Sequence, residues 1–127
     1  MCYKIWETFT KKGKFEEGID YYTKPLNSNI SKFGNHHLFI GIGYNNLGSV
    51  YFKKGEYDSA LEYYLKSLEI YIKRLGRNHP TIAICYNHIG GVYREKGLYD
   101  TAIEYYTDAL EIRLKILDKE DIDIVSS

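Results

Sequence analysis

Histidine, cysteine and carboxylate side chains carry most protein chemistry, and in this sequence their spacing argues against it. Four histidines, His36, His37, His79 and His88, raise the question of a metal. No cysteine or carboxylate stands at ligand spacing beside them, so no metal site is read. Cys85 has no histidine–aspartate arrangement that would activate a thiolate. Cys2 and Cys85 are too few for a disulfide framework and read as small hydrophobes in a reducing compartment. The glutamates are dispersed rather than paired for acid–base work, and no phosphate loop or nucleophile elbow is present. The expectation is a protein that is not an enzyme and needs no cofactor.

The remaining composition narrows the alternatives. The chain has 127 residues, enough for one domain. Lys plus Arg equals Asp plus Glu at 17 each, so the neutral chain lacks the basic footprint of a nucleic-acid binder. No apolar run approaches the roughly 18 residues of a membrane span, which argues against a membrane partner. Met1 to Thr10 has neither the basic lead nor the apolar core of a secretory signal, so the cytoplasm is the expected compartment. The sequon Asn29-Ile30-Ser31 would matter only after secretion. Fourteen tyrosines and two prolines are the compositional oddity, and long proline-free segments fit an all-α chain.

The elements that place these residues are repeated. Gly13, Gly55 and Gly97 lie 42 residues apart, as do the pairs Tyr21-Tyr22, Tyr63-Tyr64 and Tyr105-Tyr106. Aligning residues 44–75 with 86–117 gives 18 identities in 32 positions. Within a unit, Tyr44, Leu47, Gly48 and Tyr51 mark one face of a first helix, A, and Leu61, Tyr64, Leu65 and Leu68 one face of a second, B. Lys54-Gly55-Glu56 separates them; glycine takes the left-handed turn cheaply, and so short a linker makes the helices antiparallel neighbours. Helix B is predicted from about Tyr57 to Leu75. Its outer face carries Glu62–Lys66 and Glu69–Lys73 at i, i+4. Pro80 fits a helix start, where its missing N–H is not needed.

This unit resembles the tetratricopeptide repeat, through Tyr44, Leu47, Gly48, Tyr51, Ala60 and Tyr64, and again through Tyr86, Ile89, Gly90, Tyr93, Ala102, Tyr106 and Ala109. The 42-residue length, Leu75-Gly-Arg-Asn-His-Pro80 and Ala109-Leu-Glu-Ile-Arg113 look like the kinesin light chain type. The resemblance implies a right-handed superhelical solenoid of antiparallel helix pairs in about three repeats, six helices in all. Small residues at Gly48, Gly90, Ala60 and Ala102 would let the helices approach, with tyrosines packed beside them. Repeat 1, residues 1–38, is degenerate; repeat 2 is 39–80 and repeat 3 is 81–118. Residues 119–127 line up with the start of a truncated fourth. Pro25 falls where helix B of repeat 1 should continue, so that helix is expected to stop or kink near Lys24.

The resemblance also implies a binding face, the concave groove lined by the A helices. Carried onto this sequence, its peptide-binding positions are Tyr3 in repeat 1, Asn45, Ser49, Phe52 and Lys53 in repeat 2, and Asn87 and Arg94 in repeat 3, with Arg113 matching a family arginine. Asn45 and Asn87 sit one repeat apart, and an amide both donates and accepts, as a peptide backbone requires. Alternatively, the two asparagines only tie neighbouring helices together. The residues of a clamp for chaperone tails are not matched, since Tyr3, Glu7, Asn87 and Gly91 occupy its positions. The expected function is a protein-interaction scaffold that binds a peptide with acidic flanks. The alternative is a structural spacer that self-associates through open repeat ends.

Overall fold

The structure, a computed structural model, describes the backbone of residues 2–34 and 37–126 and the side chains of 14–34 and 37–118. It contains five α-helices: α1 (Cys2–Phe33), α2 (Leu38–Lys54), α3 (Tyr57–Leu75), α4 (Pro80–Glu95) and α5 (Tyr99–Ser126), with no strand among the described residues. Helices α2 and α3 form one antiparallel pair and α4 and α5 the next; α1 packs on α2, and α3 on α4. The result is a helical solenoid. No helix of the described residues is long and apolar enough to cross a membrane.

Local chemistry sets the helix ends. Gly34, Gly55, Gly76 and Gly97 all have left-handed φ, between 82° and 89°, where a side chain would be strained. At Gly55 the turn closes through Gly55 N to Phe52 O and Glu56 N to Tyr51 O, satisfying carbonyls the helix leaves open. At the starts of α2 and α4 the caps are histidines. His37 Nδ1 accepts from Phe39 N at 3.2 Å, and His79 Nδ1 accepts from Thr81 N at 3.1 Å, with Pro80 in the first helical position. Two of the four histidines are therefore helix caps.

Two apolar clusters hold the stack. Leu26 of α1 meets Ile40, Leu47 and Ile70, while Tyr64, Leu68, Tyr71, Ile82, Ile89, Val92, Ala109 and Ile112 fill the space between the later helices. The small residues work as spacers. A β-carbon on Gly48 would lie 2.7 Å from Tyr64 Cδ1, and one on Gly90 3.1 Å from Tyr106 Cε1. Ser67, a fully buried polar side chain, donates to the Gly41 carbonyl at 2.8 Å and joins α3 to α2.

The first repeat departs from expectation. Instead of two helices, α1 is a single helix of 32 residues that runs through Gly13 and contains Pro25, so of the expected stop or kink near Lys24 the stop does not occur. Packing outweighs propensity here. Leu26, adjacent to the proline, is buried, and Ile19, Tyr22 and Ile30 pack on the same cluster. Breaking the helix at Lys24 would remove Leu26 and Ile30 from this cluster. The count is therefore five helices rather than six. At the other end, α5 continues past Asp118 to Ser126. Asp118 occupies the position where Gly76 ends α3, so the left-handed glycine that stops the earlier helix is missing.

Candidate functional site

One open cleft brings the A helices together. It has a volume of about 240 Å³ and is lined by Ser49, Phe52 and Lys53 of α2, Tyr64 of α3, Asn87, His88, Gly91 and Arg94 of α4, and Tyr106 of α5. Helix α2 contributes at i, i+3 and i+4 (49, 52, 53) and α4 at i, i+4 and i+7 (87, 91, 94), spacings that set side chains on one face. Five of the eight sequence-predicted positions, Ser49, Phe52, Lys53, Asn87 and Arg94, thus meet in one place.

The other three do not join them. Asn45 does not line the cleft; its Oδ1 lies 3.1 Å from His88 Nδ1, a bond that ties α2 to α4. Arg113 is exposed on α5, away from the cleft lining. Tyr3 lies outside the residues whose side chains are described. So the two asparagines, equivalent by repeat, differ in surroundings: one is engaged across the repeat boundary and the other faces the cleft.

The cleft floor is aromatic, and its Tyr64 belongs at the same time to the buried core, as the repeat pattern predicts. Tyr64 stacks on His88 with ring centroids 5.2 Å apart, and its hydroxyl lies 3.0 Å from Ser49 Oγ. Burial pushes the Tyr64 hydroxyl pKa up, the Ser49 bond opposes this, and Cys85 adds a smaller upward push. Burial holds His88 below the ordinary imidazole value, so the ring in the floor favours its neutral form. In the next repeat Gly91 replaces Ser49. The Tyr106 hydroxyl consequently has no hydrogen-bond partner among the described residues and opens on the cleft. The signal was present in the Ser49/Gly91 difference between otherwise matching repeats.

The rim carries the charge. Lys53 and Arg94 are exposed on opposite helices, and Arg94 makes only a 3.4 Å contact to its neighbour Glu95. Phe52 supplies the apolar wall and packs on Tyr57 with centroids 5.6 Å apart. The cleft thus combines an aromatic floor, the Asn87 amide and two cations. Behind the floor, burial pushes the Cys85 thiol up to about 11, so it stays protonated at neutral pH and is a poor nucleophile.

The Tetratricopeptide repeat family model matches residues 7–71 and again residues 39–115. The chain belongs to the tetratricopeptide repeat family. No curated protein matches it in sequence. Among solved structures it is similar to the crystal structure of BtubC (BKLC) from P. vanneervenii, a kinesin light chain-like repeat protein, at a TM-score of 0.75 and 25% identity. That match covers 85% of this chain but 43% of the other, so the chain spans under half the length of this relative. Tetratricopeptide repeats in general are non-catalytic protein-interaction modules.

Proposed function

We propose that this chain is a non-catalytic scaffold of the cytoplasm that holds an extended peptide of a protein partner in the cleft between α2 and α4, with acidic residues flanking an apolar or aromatic anchor. The observation carrying this role is the convergence of Phe52, Asn87, Tyr106, Lys53 and Arg94 on one cleft built from successive repeats. Phe52 offers the anchor its wall, Asn87 and the Tyr106 hydroxyl suit a peptide backbone, and Lys53 and Arg94 favour acidic flanks. So small a surface fits roughly micromolar affinity, about −8 kcal/mol, and added salt weakens it because the cations are exposed.

Selection of displayed peptides on the intact protein, followed by fluorescence polarisation with the winners, tests this. Enrichment of acidic peptides with an aromatic or apolar anchor is expected, together with about tenfold weaker binding by Asn87→Ala and Arg94→Glu at unchanged melting temperature. Selected peptides that bind Arg94→Glu and wild type equally would place the binding surface elsewhere.

A second reading, self-association, draws on a different observation. Ile103, Leu110, Leu114 and Leu117 form an exposed stripe on α5. Their equivalents on α3, Leu61, Leu68, Ile72 and Leu75, pack into the core shared with α4. We assign that stripe to a second copy of the chain.

A further inference from the structure

The tyrosine pairs split between two faces. Tyr64 and Tyr106 enter the cleft, while Tyr63 and Tyr105 turn to another cluster. In repeat 2, Tyr63 stacks on Tyr51 with centroids 5.4 Å apart and planes 9° apart, and meets Tyr44 at 5.9 Å. Above these rings sits a cation, Lys66 Nζ, 5.5 Å from the Tyr44 centroid and 5.7 Å from that of Tyr63. Glu62 completes the arrangement at 3.4 Å from the same nitrogen. Ring faces carry negative charge, so this is a built ammonium seat, filled from within the chain.

Repeat 3 rebuilds the seat without its occupant. Tyr105 stacks on Tyr93 at 5.6 Å and 11°, and meets Tyr86 at 5.8 Å, although at a wider 56°. Glu104 stands in the position of Glu62, but the position of Lys66 is taken by Asp108. Everything that touches the ammonium in repeat 2 is therefore retained, and the ammonium is replaced by a further carboxylate. Among the described residues no cation lies over Tyr86 or Tyr105. The two carboxylates, at i, i+4 on one helix face, repel each other. Both also push the Tyr105 hydroxyl pKa up, after the larger effects of burial and of Tyr93 and Tyr86. The three rings are half-buried and both carboxylates are exposed, so the seat can be reached from solvent.

We infer that Tyr86, Tyr105 and Tyr93, with Glu104 and Asp108, form a site for the ammonium of a lysine side chain on a protein partner. Lys66 provides the template, an ammonium on a four-carbon stem held by two ring faces and one carboxylate. The site is separate from the acid-preferring cleft, since none of its five residues lines that cleft.

The test is an NMR titration of the full chain, labelled in its tyrosine rings, with Nα-acetyl-lysine methylamide. The Tyr86 and Tyr105 ring signals should shift and saturate, while those of Tyr44 and Tyr63 stay still behind Lys66. The Nε-acetylated analogue, which has no charge, should give no shift. Asp108→Lys, which supplies the missing lysine from within, should abolish the response, and Asp108→Asn should weaken it several-fold. In Lys66→Ala the Tyr44 and Tyr63 rings should begin to respond. Equal shifts from the neutral analogue, an undiminished response in both Asp108 variants, or wild-type Tyr44 and Tyr63 shifts as large as those of Tyr86 and Tyr105 would overturn the assignment.

Discussion

Single residues decide how closely these helices meet and how the cleft floor responds to acid. At Gly90 a β-carbon would press on the Tyr106 ring at 3.1 Å and on the Ala102 carbonyl oxygen at 3.3 Å; at Gly48 it would press on the Tyr64 ring at 2.7 Å. A leucine at Gly90 has no room in either direction, because one of its neighbours is backbone. Overpacking of this kind typically costs about 1–3 kcal/mol, so Gly90→Leu should lower the melting temperature by several degrees or prevent folding. An unchanged melting temperature in calorimetry would mean the helices do not touch there. His88 sets the acid response. Its folded value lies below the ordinary 6.5 because burial disfavours the imidazolium. The unfolded chain therefore binds the proton first. Stability from this group is complete above about pH 6.5 and falls as pH drops below it toward the depressed folded value. Repeat 2 carries Asn46 at the equivalent position. His88→Asn should thus lose less stability than wild type between pH 7 and pH 5 in denaturant melts, and parallel losses would assign the sensitivity to other groups.

At the scale of helices, most of the architecture was legible and one repeat was not. The 42-residue period gave α3 its ends at Tyr57 and Leu75 and α4 its start at Pro80, because glycine, histidine and proline act locally at those points. The pairs Glu62–Lys66 and Glu69–Lys73 form at 3.4 and 3.3 Å. Of the cleft, the A-helix positions were legible through the resemblance to the tetratricopeptide repeat. The Tyr64–His88 floor and the Asn45–His88 bond were not, since both depend on contacts between repeats that no single helix encodes. The continuity of α1 was also hidden, for the same reason. Proline in a helix interior costs about 3 kcal/mol, and propensity alone ends the helix at Lys24. Burial of Leu26 against Ile40, Leu47 and Ile70 is a tertiary gain that opposes this cost. Pro25 itself is exposed. Pro25→Ala should therefore restore an N–H and a hydrogen bond without disturbing the core, raising stability by about 1–3 kcal/mol. If α1 did end near Lys24, the substitution would leave urea melts unmoved.

Taken together, the described helices form a stack with unequal sides. Inside it, each helix B is covered by the next helix A: Leu68 on α3 is 8% exposed beneath α4. On α5 its equivalent, Leu110, is 56% exposed, and Ile103, Leu114 and Leu117 are each at least 49% exposed. The stripe thus repeats a surface that the same fold buries one repeat earlier, with the same residue types and spacing. Contiguous exposed apolar surface of this kind marks interaction sites rather than ordinary solvated faces. A second copy is the occupant available in a purified sample, and association by mass action makes both mass and melting temperature depend on concentration. Multi-angle light scattering over a hundredfold range of concentration should show a rise from monomer toward dimer. Leu110→Glu with Leu114→Glu should hold the protein monomeric at all concentrations without unfolding it, since both positions are exposed in the monomer. A version ending at Asp118 should still associate, because the stripe lies within 103–117. A strict monomer at the highest concentration, in both wild type and that shortened version, would show that α5 tolerates its exposed leucines unaided.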